Sequence, residues 1–469
     1  MRTHEAGALH GQSGDRPSWL RPPGDVNELA AELWSTTVHK GDELEVGGLT
    51  AGALAAAVGT PAYVLDEVDF RGRAAAFRDA FADPELPADV YYAAKAFVCS
   101  QVVRWIEDEG LGLDVCTGGE LAVALQAGFP AKRMTLHGNN KSDAELSRAV
   151  QAGVGRIVVD AFDEIDRLAA IAVAADVTVP VLVRVTVGVE AHTHEYIATA
   201  HEDQKFGFSL ADGDAELAAR RIHAAAGLTL LGLHSHIGSQ IFDTSGFEVA
   251  ARRVLGLHAL LLTELGGSLP ELGLGGGFGI AYTTQDDPQP PAVLAKRLRS
   301  IVLRECADLG IDPPRLSVEP GRAIAGPSTF TLYEVGTVKR VALDAGASRV
   351  YVSVDGGMSD NVRTALYDAD YSCTLASRRS AAEPVLTRVV GKHCESGDVV
   401  VKDEFLPGDV RRGDLLAVPA TGAYCRSLAS AYNHVGRPPV VAVRDGEVQV
   451  LLRRETDDDL SALDMGWQT

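Results

Sequence analysis

Between residues 70 and 327 the sequence alternates short Val/Leu/Ile-rich runs with Ala/Leu/Arg/Glu-rich stretches of helical periodicity. The candidate strands are VYYAAK (90–95), LGLDV (111–115), MTLHG (134–138), RIVVD (156–160), PVLVRV (180–185), LLGLHSH (230–236), ELGLGGG (271–277) and LSVEP (316–320). Helical stretches such as 143–153 and 248–265 lie between them, and Gly128, Gly153 and Gly266 stand where helix C-caps belong. Eight strands, each followed by a helix, predict a (β/α)8 TIM-type barrel over 71–327. An open doubly wound sheet is the competing arrangement. After Pro327 the pattern turns to β-rich runs separated by turn signals, from TFTLYEVGTVKRV to PPVVAVRDGEVQVLLRRE. That predicts an appended all-β (sandwich or barrel) domain at 328–469, joined by strands from 26–70, with 1–25 as a flexible leader.

Composition narrows the function classes. The formal charge of −21 argues against nucleic-acid binding and against docking on anionic membranes. The six Cys are scattered without a CxxC pair, so neither a disulfide framework nor a thiolate metal site is expected. The most apolar stretch, 168–189, is broken by Asp176, Pro180 and Arg184, and no apolar signal segment opens the chain. The expectation is a cytoplasmic protein.

Reactive residues fall at the C-terminal ends of the candidate strands, where barrels collect function. Lys95 ends the first strand, Asp114 lies near the end of the second and His137 near that of the third. His234 and His236 end the sixth, Gly275, Gly276 and Gly277 the seventh, and Glu319 the eighth. Lys95 sits in the apolar context YYAAKAF; partial desolvation would free its amine to form an imine, although a lysine at a barrel rim reads the same way. The run GLGGGFG (273–279) fails as a dinucleotide fingerprint, because Phe278 and Ile280 occupy the required glycine positions. Glycines there suit a phosphate held by backbone N–H groups, or simply a tight corner. Ser239 adds a hydroxyl on the preceding loop. In EPGR (319–322), Glu319 can hold a ring nitrogen protonated and Arg322 can pair with a phosphate or carboxylate; a structural ion pair is the bland alternative. His192–His194 and His234–His236 are each HxH, a spacing that could serve a metal-dependent hydrolase. The first pair lies in a loop-like segment and no lone Asp completes a centre, so no metal is assigned, and His236 is read as an aromatic plate against a cofactor ring.

Together these residues resemble the diaminopimelate decarboxylases, within the fold type III pyridoxal-phosphate enzymes (the alanine racemase and ornithine decarboxylase group). The matching stretches are GTPAYVLDE (59–67), YYAAKAF (91–97), LDVCTGGEL (113–121), LHGNNKS (136–142), KFGF (205–208), HSHIGSQ (234–240), LGLGGGFGI (272–280), EPGR (319–322), DGGMSDNVRTALY (355–367), CESGD (394–398) and TGAYCRSLASAYN (421–433). Many relatives have Ser where Thr117 precedes GGE; the hydroxyl is kept. The resemblance implies that Lys95 carries pyridoxal 5'-phosphate, that His236 stacks on its ring and that Glu319 faces the pyridine nitrogen. It implies that Ser239, Gly275, Gly276, Gly277, Arg322 and Tyr424 surround the phosphate. Arg322, Arg363, Tyr367, Glu395 and Tyr424 would meet an amino-acid substrate, and Cys394 would donate a proton. Cys394 and Glu395 would come from the partner subunit, so the resemblance implies a homodimer with shared active sites.

Glu at position 319 favours decarboxylation over racemisation, because a protonated pyridine is a good electron sink. Ornithine or lysine presents only an ammonium at its far end, whereas diaminopimelate also presents a carboxylate. Arg322, Arg363 and Tyr367 suit that carboxylate and Glu395 the ammonium. The expected reaction is meso-2,6-diaminopimelate to L-lysine and carbon dioxide, the last step of lysine biosynthesis. A decarboxylase of ornithine, arginine or another polyamine precursor is the alternative enzyme, and a cofactor-binding regulator is the non-enzyme one.

Overall fold

The computed structural model describes residues 19–35, 37–188, 205–342 and 348–467. The chain divides into two compact units: Arg71–Gly279 with Pro288–Ile324, and the described residues of Met1–Phe70, Ile280–Asp287 and Ala325–Thr469.

The first unit is a closed barrel. Its eight parallel strands are Ala88–Ala93, Gly112–Val115, Met134–Leu136, Arg156–Val159, Val179–Thr186, Leu228–His234, Glu271–Gly273 and Arg315–Val318. Each pairs with the next in sequence, and Leu316–Val318 closes the ring on Ala88–Val90. All eight sit on the runs expected from the sequence, mostly ending a few residues sooner. They are legible because parallel strands buried on both faces read as unbroken apolar runs. Phe208–Ser209 adds a short parallel extension beside Val185–Thr186. The helices carry local signals. Asp143–Ala152 opens on a capping box between Ser142 and Glu145 and ends at Gly153 in the left-handed region. Thr117 caps Gly118–Gln126 by accepting from the Glu120 N–H.

The second unit is built on a sheet in the order Val399–Pro407, Pro384–Val390, Ser348–Val354, Thr329–Ala342, Ala62–Asp66, Val440–Arg444 and Glu447–Leu452. Leu415–Val418 joins it through Thr331–Glu334 and also pairs with Thr374–Leu375. The expected early strand is there: Ala62–Asp66 lies centrally, antiparallel to Thr329–Leu332 and parallel to Val440–Val443. The core gathers Trp34, Val64, Phe330, Leu332, Leu415 and Val441. Short helices at Ala51–Val58, Arg363–Tyr367 and Asp457–Ser461 qualify the all-β expectation. Of the leader, residues 1–18 lie outside the described residues, and Leu20 is buried. No described helix is long and apolar enough to cross a membrane.

One buried ion pair braces the barrel mouth. Lys141 Nζ lies 2.8 Å from Glu164 Oε1, with both side chains 2% exposed. Lys141 also donates to the Gly138 carbonyl, and Glu164 accepts from the Asp160 N–H. The pair therefore ties the loop after the third strand to the helix Phe162–Ala174. Lys141→Met should destabilise the protein by about 3–5 kcal/mol, because Glu164 is left buried and unpaired. Adding Glu164→Gln should recover part of the loss, and denaturant unfolding of the two variants checks both expectations.

Candidate active site

Strand ends in the barrel unit surround an open cavity lined by Lys95, Asp114, Cys116, Glu120, His137, Arg184, Phe206, His236 and Glu319. The first strand stops at Ala93, so Lys95 lies in the turn two residues beyond it. Its neighbours Ala93, Ala94, Ala96 and Phe97 are buried, whereas Lys95 is exposed. The expected desolvation is thus not provided by the apolar YYAAKAF context: those neighbours pack away and leave the amine at the cavity.

Glu319 centres the electrostatics. Its Oε1 lies 2.7 Å from His234 Nε2 and 3.6 Å from His137 Nε2. Burial opposes its charge, but the short contact with His234 outweighs burial and holds the carboxyl well below the usual range. Asp114 Oδ1 lies 3.5 Å from His137 Nε2. Burial, then the charge of Glu319, pushes Asp114 well above the usual range. The two carboxyls are therefore pushed apart, Glu319 toward its ionised form and Asp114 toward its protonated form, a common preparation for acid–base work.

His236 Nδ1 accepts from the Gly276 N–H at 3.2 Å, which fixes the ring and leaves its proton on Nε2. Burial drives both His236 and His137 well below their ordinary value, so both rings are neutral near pH 7. The glycine turn is required by the backbone around it. A Cβ on Gly276 would lie 2.2 Å from the Glu319 carbonyl oxygen; one on Gly277, whose φ is +102°, would lie 2.4 Å from that of Gly238. Gly275 accepts from the Glu319 N–H through its carbonyl. Buried Arg322 donates from Nη2 to Ser239 Oγ at 2.7 Å.

The metal-site spacing is not realised as a pair. The His234 ring turns to Glu319 and the His236 ring to Gly276, while His192 and His194 lie outside the described residues. His137, His234 and Glu319 do place ligand-type atoms within 4.8 Å of one another. Their contacts are those of a carboxylate held by imidazoles. The long 186–204 loop is described only to Gly188.

The donor set fits pyridoxal phosphate: an amine for an aldehyde, a partly buried ionised carboxylate for a pyridine nitrogen, a fixed neutral ring for stacking, and a guanidinium, hydroxyl and glycine turn for a phosphate. Arg184 was not singled out from the sequence. It lies against the Phe206 ring at 4.6 Å and 3.9 Å from Asp160, whose carboxylate also accepts from the Gly207 N–H. Its signal is a lone charge inside an apolar strand that the membrane argument read only as an interruption.

The second unit assembles the remaining motifs on its own. Asp398 accepts from the Met358 and His393 N–H groups, His393 Nε2 lies 2.8 Å from Ser359 Oγ, and Asn433 Oδ1 accepts from the Cys394 N–H at 3.4 Å. DGGMSDN, CESGD and the Asn433 end of the last motif are thereby tied together. Cys394 and Glu395 are exposed on that loop. Arg363 opens and Tyr367 ends the helix Arg363–Tyr367, four residues apart and so on the same face. Tyr424 has φ +72°, a strained value for a tyrosine, and its ring lies 6.0 Å from the Arg363 guanidinium.

A pH test follows from the neutral imidazoles. Below about pH 6.5 an unfolded histidine takes up a proton that the desolvated ring of His236 resists, so its contribution to stability falls as pH falls. His236→Phe should therefore gain stability relative to the unsubstituted protein on going from pH 7 to pH 5, by at most about 2 kcal/mol, the limit set by titration of an unfolded histidine. Urea unfolding of the cofactor-free proteins measures that difference.

Comparison with known proteins agrees with this arrangement. Residues 67–326 match the profile of the pyridoxal-dependent decarboxylase, pyridoxal binding domain. The chain is 58% identical over 447 residues to the diaminopimelate decarboxylase of Mycobacterium tuberculosis, covering 94% of this chain and 99% of that one. It is 54% identical over 475 residues to that of Mycobacterium leprae, covering 99% and 100%. Among solved structures, the diaminopimelate decarboxylase of M. jannaschii in co-complex with L-lysine aligns with a TM-score of 0.83 at 30% identity, covering 92% of this chain and 98% of that one. The fold, the site and these similarities together place the chain in the diaminopimelate decarboxylase family of pyridoxal-dependent decarboxylases.

Proposed function

We propose that this chain catalyses the decarboxylation of meso-2,6-diaminopimelate to L-lysine and carbon dioxide, completing lysine biosynthesis. The observation that carries the reading is the partly buried, ionised Glu319, held 2.7 Å from His234 in the cavity that Lys95 lines. Bound pyridoxal phosphate supplies an electron sink for the pair left when the carbon–carbon bond to the departing carboxylate breaks. Glu319 keeps a proton on the ring nitrogen, with His234 fixing its orientation. Lys95 would hold the cofactor's aldehyde through its amine. His236 presents a flat neutral face, its plane set by Gly276. Arg322, Ser239, the N–H groups of Gly275–Gly277 and Tyr424 hold the phosphate. Arg322 also meets the substrate.

The residues of the second unit complete the proposal. Arg363, Tyr367 and Tyr424 read the distal carboxylate, and Glu395 reads the distal ammonium. Cys394 returns a proton to the carbon that lost its carboxylate. The exposure of Cys394 and Glu395 suits their delivery to the site of a second copy, so the working form is a homodimer in the cytoplasm. The structural neighbours named lysine/ornithine decarboxylases, at 23% identity, share the fold alone.

With pyridoxal phosphate, meso-diaminopimelate should yield L-lysine and carbon dioxide in equal amounts, and ornithine and arginine should give almost none. Comparable turnover of ornithine contradicts the substrate assignment. Glu319→Gln should lower kcat by about 10²–10³, as expected when a preorganised charge at the developing centre is lost. Steady-state carbon dioxide release measures both.

A further inference from the structure

The second unit encloses Arg363 in aromatic rings. The guanidinium carbon lies 4.7 Å from the Tyr282 ring centre, 5.7 Å from that of Tyr371 and 6.0 Å from that of Tyr424. Tyr282 and Tyr371 pack edge to face at 5.1 Å. Arg363 Nη1 donates to the Tyr371 hydroxyl at 2.6 Å. The Tyr371 hydroxyl lies 3.5 Å from Cys425 Sγ, and Cys425 Sγ lies 3.5 Å from Asn361 Oδ1. Arg363, Tyr282 and Tyr371 are each 5% exposed or less.

This surround leaves the cation incomplete. Arg363 stays charged at any working pH. Its contacts are rings and a hydroxyl, with no neutralising carboxylate among the described residues. Its Nε is buried with no hydrogen-bond partner. A buried cation whose N–H groups are only partly satisfied is costly unless an anion arrives. A planar guanidinium receives a carboxylate well only when its plane is fixed. The Tyr282 face and the Tyr371 hydroxyl are the groups placed to fix it.

We propose that Tyr371, supported by the ring of Tyr282, is a positioning residue that holds Arg363 ready for the substrate carboxylate retained in the product. This rests on the reading of Arg363 as the carboxylate partner. Tyr371 occupies one guanidinium donor, and Nε has no hydrogen-bond partner within the protein. It acts through Arg363, so it sets affinity for ligands that carry that carboxylate and has little bearing on bond breaking. L-lysine keeps the carboxylate, whereas cadaverine, a diamine without one, does not.

The test is made on the cofactor-loaded enzyme. Tyr371→Phe should raise KM for meso-diaminopimelate and the inhibition constant of L-lysine about tenfold or more, the loss expected for a hydrogen bond to a charged group. Its kcat should stay within about twofold, and inhibition by cadaverine should be unchanged, since neither depends on the carboxylate contact. Tyr282→Leu should shift the same two constants in the same direction, and it carries the test if Tyr371→Phe does not fold. Unchanged KM and lysine inhibition overturn the positioning role, as does an equal loss of cadaverine binding, which marks general disruption. Arg363→Ala separates the two levels. If it impairs meso-diaminopimelate turnover strongly while both tyrosine variants behave normally, only the positioning proposal fails. If Arg363→Ala is itself near normal, the reading beneath it fails as well.

Discussion

An ionised carboxylate inside a protein needs a reason to stay ionised. At Glu319 the reason is the 2.7 Å contact with His234, which outweighs the burial that would otherwise protonate it. Everything proposed for the barrel cavity leans on that balance. A neutral Glu319 could not hold a proton on a pyridine nitrogen, and the nearby Asp114 would lose a charge that helps push its carboxyl up. The closed barrel makes the arrangement possible, because His234, His137, Asp114 and Glu319 come from the ends of four different strands that only ring closure brings to one point.

Much of this was legible in the sequence. The eight barrel strands read as apolar runs because both their faces are buried, and the reactive residues stood out because they follow those runs. The glycines of 275–277 were ambiguous between a corner and a cradle. The structure gives them a packing necessity, since Gly276 and Gly277 admit other backbone within Cβ distance, and the same turn fixes His236. Lys95 was misjudged in one respect. Apolar neighbours in sequence do not desolvate a side chain that a turn points away from them.

Other features were hidden for physical reasons. The strand Val399–Pro407 carries Lys402, Asp403 and Glu404 at its centre, which breaks the pattern a strand search depends on. Lys402 is satisfied by Asp368 and Asp370, and Asp403 by Arg349, all remote in sequence. Arg184 looked like an interruption because its partners, Phe206 and Asp160, sit on other elements. Tyr282 and Tyr371 had no local signal at all. They meet around Arg363 only because residues 280–287 fold with the second unit although they lie between segments of the barrel.

The central claim is that one amine, that of Lys95, carries the cofactor. Borohydride reduction of the pyridoxal phosphate-loaded protein, followed by digestion and mass spectrometry, reads it directly. The account predicts a phosphopyridoxyl mass on the peptide containing Lys95 and none when Lys95→Ala is treated in the same way. A label on another lysine, or an unlabelled protein that still releases carbon dioxide from meso-diaminopimelate, would contradict it.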